Sequence, residues 1–246
     1  MELTLPFKQT LQQEGYAIID NVFSEAEVAG IVQSINSIET SGAAFRKTSD
    51  LYAIRRFIKE VPAIGPLVFN SRLQAIIDQL FGKDYFLVKS IYFDKPGQSN
   101  WFVAYHQDLT ISVDQKMQLE GYEQWTVKND QFAVQPPVSL LENIFTIRIH
   151  LDETDENNGA LKIVPGSHRK GIYRPETIDW SREKEVSCKV PRGGVMIMQP
   201  LLLHASNRTV NNNKRRVIHL EFSNLQLPNG LQWAEYLVVK NFPSSA

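Results

Sequence analysis

"RRVIHLEFS", Arg215 to Ser223, alternates in character without a break. Successive side chains on a strand point to opposite faces. Arg216, Ile218, Leu220 and Phe222 therefore share one face, and Arg215, Val217, His219 and Glu221 share the other. The first set reads as core packing and the second as the wall of a polar pocket. "TIRIHLD", 146–152, repeats the pattern, with Ile147, Ile149 and Leu151 toward a core and Thr146, Arg148, His150 and Asp152 facing the other way. Two such strands predict a sheet with a packed face and a cavity-lining face.

Outward from these strands, the chain from about Tyr85 onward is a series of short β-rich runs divided by Gly, Pro and Asn, among them "YFLVKSIYFD", "ALKIVPG", "VMIM" and "PLLLH". Many short strands at that spacing predict an antiparallel sandwich or barrel. The first third reads mostly helical. Ser24 and Glu27 form a capping box ahead of a run with helical apolar spacing. Ser71 and Gln74 repeat the signal, and Gly82 is placed to stop that helix. The segment 113–143 has no clear periodicity and reads as a lid, although Tyr122, Trp125 and Phe132 argue against disorder. With no repeat or long linker, the expectation is one domain over 1–246, mainly β with flanking helices. Its helical N-terminal part spans about 1–84 and its β-barrel core about 85–246.

Composition narrows the function classes. Among 246 residues, 26 basic side chains against 27 acidic ones leave a formal charge of −1, which exerts no general pull toward nucleic acid or a membrane surface. No run approaches the roughly 18 apolar residues of a membrane span. The single cysteine, Cys188, cannot pair within the chain and reads as a buried small residue. With no secretory h-region at the N-terminus, the expected location is cytoplasmic.

"YHQDLT", 105–110, places His106 and Asp108 two residues apart, on one face if the run is a strand. Alone the pair is a weak signal. His204, ending the apolar run "PLLLH" before a polar loop, supplies a candidate third ligand. Two histidines and a carboxylate form the facial set typical of non-haem Fe(II) oxygenases, although zinc accepts the same ligand types. Arg215, eleven residues beyond His204, faces the same pocket by parity and is suited to holding a carboxylate. His150 and His219 read as hydrogen-bonded wall residues, and His168, in a "PGSH" turn, as a structural one. Arg148 could contact an anion or pair with Asp152 or Glu221. Arg46, Lys47, Arg55, Arg56 and Lys59 form a basic segment, either a solvated helix face or a handle for an anionic substrate. Trp101 and Trp125 flank the site in sequence and are candidates for the substrate pocket.

"YHQDLT", "LDETDENNGALKIVPGSHRKG" and "PLLLHASNRTVNNNKRR", together with the N-terminal "LQQEGYAIIDNVFSEAEVAGI", resemble the phytanoyl-CoA dioxygenase family of Fe(II)/2-oxoglutarate oxygenases. The resemblance implies a double-stranded β-helix, a jelly-roll barrel buttressed by helices. It implies iron held by His106, Asp108 and His204, the far carboxylate of 2-oxoglutarate on Arg215, and O2 as co-reactant. The implied reaction hydroxylates an unactivated C–H bond of a small molecule while 2-oxoglutarate becomes succinate and CO2. Asp108 bears on the outcome, because halogenases of this kind carry a small residue there. One departure stands out: many relatives have Gly-Pro after the "HAS" tripeptide, where this chain has Asn207-Arg208. Two other readings remain: a cupin-like metal enzyme without 2-oxoglutarate, and a non-catalytic ligand-binding barrel. A small, anionic metabolite is the expected partner, and the oligomeric state is left open.

Overall fold

The computed structural model describes residues 5–38, 44–50, 52–128 and 131–242. Residues 1–4, 39–43 and 51 of the expected helical part, and 129–130 of the expected lid, lie outside them. Helix α1 (Leu5–Glu14) leads into strand β1 (Tyr16–Ile19), then α2 (Glu25–Asn36), β2 (Phe45–Lys47), β3 (Tyr52–Arg55) and the short helices α3 (Phe57–Glu60) and α4 (Gly65–Val68). Helix α5 (Ser71–Leu80) precedes the strand-rich part, β4 (Phe86–Lys95), β5 (Val103–His106), β6 (Ile111–Val113), β7 (Glu123–Lys128) and β8 (Gln131–Gln135). A single turn, α6 (Val138–Leu141), separates these from β9 (Ile144–His150), β10 (Leu161–Ile163), β11 (Val186–Cys188), β12 (Val195–Met198), β13 (His204–Ser206) and β14 (Arg215–Ser223).

The strands form three sheets. The large one has the order β1-β12-β9-β14-β4-β3-β2, the small one β11-β10-β13-β5, and a side sheet β6-β8-β7. All pairings between named strands are antiparallel. The alternation read in 215–223 holds. Ile218, Leu220 and Phe222 join Ile147, Ile149 and Leu151 in a core packed beneath α2 and α5. Phe145 and Phe222 stack there with ring centroids 4.9 Å apart. Burying such a ring contributes roughly 1.5–3 kcal/mol, so this face holds the helical layer to the sheet. Between the large and small sheets, Leu161, Ile163 and Cys188 meet Met196, Met198 and Leu202 and fill one end of the sandwich. The other end, lined by polar side chains, is left for the site.

Three expectations are corrected. The first third is mostly helical as read, but it also contributes β1, β2 and β3 to the large sheet. These runs are only three or four residues long, too short to show a period. For the same reason the basic segment is not a helix face, since Arg46, Lys47 and Arg55 sit on a β-hairpin and only Lys59 lies within the one-turn α3. The cap of α5 falls one residue earlier than read: Asn70 Oδ1 accepts from Leu73 N at 2.8 Å, while the Gln74 side chain donates to Phe69 O. Segment 113–143 is largely a β-hairpin pinned to β6, as its aromatics suggested; the irregularity between Glu123 and Thr126 hid its alternation. The Ser24–Glu27 capping box forms as read, and Gly82, at φ 97, follows the end of α5.

Asp152 leaves its expected face. Asp152 lies two residues past the end of β9 and takes a bidentate hydrogen bond from Arg216, at 2.8 and 2.6 Å. This pair closes the end of the large sheet, so Asp152 is not a partner for Arg148. Among the described residues, no helix is long and apolar enough to cross a membrane.

Candidate metal centre and active site

His106 and His204 stand opposite each other in the β5–β13 register, and their rings lie 4.2 Å apart. Asp108 is not on the strand, which ends at His106. It reaches the same place because its own amide donates to Pro200 O at 2.9 Å, while Gln107 beside it is clamped by two other loops. Gln107 Nε2 donates to Leu201 O and Gly171 O, and its Oε1 accepts from Tyr173 N. Gln107, between the two candidate ligands, carries no motif that singles it out in the sequence. Its burial among backbone groups of two other loops has no signature in the sequence.

His106 Nε2 lies 3.8 Å from one oxygen of Asp108, and His204 Nε2 lies 3.7 Å from the other. These gaps are too long for hydrogen bonds and short enough for one ion to bridge. Each Nδ1 sits 2.9 Å from the backbone carbonyl two residues earlier, Ala104 O and Leu202 O. A carbonyl only accepts, so both Nδ1 atoms carry the proton and both Nε2 lone pairs face Asp108. Burial pushes the His204 imidazole down to about 4, which keeps it neutral. For Asp108, burial acts to raise the carboxyl, but the neighbouring His204, His219 and Lys89 outweigh it and hold it below the usual carboxylate range. Two imidazoles with converging lone pairs and a carboxylate fit a divalent metal.

The surrounding cavity, about 220 Å³, is closed on the opposite side by the large sheet through Arg148, Arg215 and His219. Arg215 is 3% exposed, and its Nε and Nη1 have no hydrogen-bond partner. Burial, with Arg148 nearby, lowers it to about 9. Burial likewise lowers Arg148 to about 10. Two buried guanidinium groups without a carboxylate partner fit an anion in this cavity. Lys95, opposite Arg215 in the β4–β14 register, is another buried cation; burial, then Arg215, lowers it to about 7.

His219 also lies within reach of Asp108 and Glu221, a second potential ligand group. Its ring nitrogens are both engaged. Arg148 Nη1 meets Nδ1 at 3.0 Å, and Nε2 meets Glu221 Oε1 at 2.9 Å. Arginine can only donate, so Nδ1 accepts and Nε2 donates to Glu221. Lys89 donates to the same carboxylate at 2.8 Å. Burial opposes ionisation of Glu221, but Lys89 and His219 outweigh it and hold its carboxyl down. His219 is thus a wall residue, whereas His150, held by Thr154 Oγ1, is hydrogen-bonded but does not line the cavity. Arg148 pairs with His219 rather than with Asp152 or Glu221. His168 Nε2 donates to Gln12 O and ties its turn to α1.

Of the two tryptophans, Trp101 lines the cavity beside Phe93. Trp125 packs with the apolar cluster under the side sheet, away from it. Arg56 lines a second, larger cavity next to the first.

Facing sheets that enclose a two-histidine, one-carboxylate set define a jelly-roll protein of the double-stranded β-helix class. Residues 11–217 match the model of the phytanoyl-CoA dioxygenase family, and the chain belongs to that family. Ectoine dioxygenase of Bordetella bronchiseptica is 26% identical over 172 residues, covering 67% of this chain and 49% of the relative. A probable alpha-ketoglutarate-dependent hypophosphite dioxygenase of Stutzerimonas stutzeri is 25% identical over 180 residues, covering 68% and 54%. The chain thus spans about half the length of these relatives. Among solved structures, EctD from S. alaskensis with bound Fe superposes at a TM-score of 0.70, with 19% identity over 90% of this chain and 76% of that one. HygX from Streptomyces hygroscopicus, with nickel and 2-oxoglutarate bound, gives 0.65, with 15% identity over 98% and 100%.

Proposed function

We propose that this chain is an Fe(II)- and 2-oxoglutarate-dependent dioxygenase that hydroxylates a C–H bond of a small metabolite. The observation that carries this reading is the pair of Nε2 lone pairs converging with Asp108, beside an unpaired buried Arg215. Family membership supports it. Fe(II) held by His106, Asp108 and His204 would, with 2-oxoglutarate and O2, supply the oxidising chemistry that yields succinate, CO2 and a hydroxylated product.

The chain's own part is to bind and orient. Ala104 O and Leu202 O fix the ligand tautomers before any metal arrives, so no proton need move from the histidines. Arg215 takes the distal carboxylate of 2-oxoglutarate and removes the need to leave that guanidinium unpaired. Arg148, locked by His219, keeps the same wall positive. Phe93, Val103 and Leu161 exclude water around the reacting region. Asp108 occupies a place that a halide would otherwise need, which favours hydroxylation over halogenation.

Anaerobic addition of Fe(II) and 2-oxoglutarate should give the weak visible charge-transfer band of their complex, and His204→Ala should abolish it. No band in the unsubstituted protein, or an undiminished one in the variant, refutes the reading.

A further inference from the structure

The larger cavity, about 520 Å³, lies directly beside the metal site. The two share Lys89 and Ile91, and Thr110, two residues beyond Asp108, is on its wall. The volume suits a metabolite, whereas the 220 Å³ cavity around Arg215 is already assigned to metal and cosubstrate.

Its lining combines both signs of charge. Some of that charge is already spoken for: Lys89 by Glu221, Arg56 Nη2 by Glu60 at 2.9 Å, and Asp114 by the Gln232 amide. Arg55 and Lys59 have no ion-pair partner among the described residues, and Arg56 Nε is buried without a hydrogen bond. Glu235 is the counterpart. It is 6% exposed, and its Oε1 accepts from Ser90 Oγ at 3.0 Å, but Oε2 is buried with no donor. A carboxylate oxygen in such a place calls for an N–H group.

We propose that this chamber is the substrate site and that it selects a compact amphoteric metabolite. Its oxyanion would be held by Arg55, Arg56 and Lys59, and its ammonium or amidinium N–H by Glu235. The proposal rests on the dioxygenase reading for turnover but not for binding, and its test uses both. Ionised Glu235 completes a pair with the bound cation, so the residue determines specificity without touching the reacting atoms.

The test uses the full chain with three matched probe sets. The first is linear amino acids from β-alanine to 6-aminohexanoate, the second their N-acetyl derivatives, and the third alkylamines of the same length. Binding is read as a shift in thermal unfolding with Fe(II) and 2-oxoglutarate present, and coupling as succinate release. Amino acids should raise the melting temperature and stimulate succinate release, and the singly charged analogues should do neither. Glu235→Gln should raise the KM of the best amino acid tenfold or more while leaving that of 2-oxoglutarate unchanged. The Fe(II)/2-oxoglutarate charge-transfer band verifies that the variant is folded. Equal responses to all three sets, no response to the amino acids, or an unchanged KM in Glu235→Gln overturns the proposal. A missing band in the unsubstituted protein refutes the dioxygenase reading instead, and the unfolding shift still decides the chamber's preference.

Discussion

Glu235→Gln also allows a sharp test of the energetics. Burial raises the Glu235 carboxyl from 4.5 to about 7, against the weaker opposing pull of Ser90 and Arg56. Glu221 adds to the rise, and Lys59, Lys89 and Asp114 line the same space. Because the folded pKa exceeds the unfolded one, the folded chain binds the extra proton between these values. Stability from this group is therefore retained at low pH and lost as pH rises from about 4.5 through about 7. At about 1.4 kcal/mol per pH unit, ionised Glu235 at pH 8 costs the fold about 3 kcal/mol relative to the unfolded chain, against about 1 kcal/mol at pH 5. The substituted amide does not titrate, so the stability gap between variant and parent should shift in the variant's favour by about 2 kcal/mol across that interval. In a chain of this size that amounts to a relative change in Tm of about 4–8 °C. The assay is thermal unfolding of both metal-free proteins, followed by circular dichroism at several pH values from 5 to 8. Ionisable groups unaffected by the substitution contribute equally to both proteins and cancel in the comparison. Any constant offset from the new amide also cancels. A gap that stays level with pH refutes the assignment of a proton-holding carboxyl at this position.

Two further outcomes follow from the site. Arg215→Ala should raise the KM for 2-oxoglutarate at least 30-fold, since breaking a buried hydrogen-bonded charge pair costs about 2–5 kcal/mol. Unchanged 2-oxoglutarate binding in that variant would favour a metal enzyme that does not use this cosubstrate. Gln107→Leu should lower Tm by about 2–12 °C, because it strands the buried Leu201 O at roughly 1–3 kcal/mol, while Gly171 O and Tyr173 N are only part-buried. The same variant should weaken Fe(II) binding, measured by titration against a chelator, since the clamp holds Asp108 in place. Wild-type metal affinity in Gln107→Leu would show that the Pro200 carbonyl alone positions that ligand.

The parts of this molecule legible in the sequence are those governed by period. Nine residues of strict alternation in β14 sufficed to place Ile218, Leu220 and Phe222 in the core and to turn Arg215 and His219 toward the cavity. The β9 strand followed the same rule as far as His150. Beyond it the chain leaves the sheet, parity no longer applies, and Asp152 turns to Arg216. The same limit explains Asp108. The i, i+2 argument put it beside His106 on a strand, and the structure puts it there by a backbone hydrogen bond in a loop. Glu235 and Lys89 were not legible because their roles depend on Ser90 and Glu221, which pair with them across the fold and not along the chain.

The histidines show what a sequence leaves undetermined even where every residue is named. His106, His204 and His219 all line one cavity and stand within reach of one carboxylate. What separates ligand from wall is the partner of the other ring nitrogen. A backbone carbonyl at Nδ1 forces the proton there and frees the Nε2 lone pair of His106 and His204. A guanidinium at Nδ1 of His219 takes up that lone pair and commits the Nε2 proton to Glu221. Arg148 thus removes a fourth ligand as well as carrying charge: without it, His219 could turn over its tautomer and compete for the ion. The cross-strand register Arg148↔His219, fixed by the apolar residues on the opposite face of β9 and β14, would therefore restrict a metal held by His106, Asp108 and His204 to those three protein ligands.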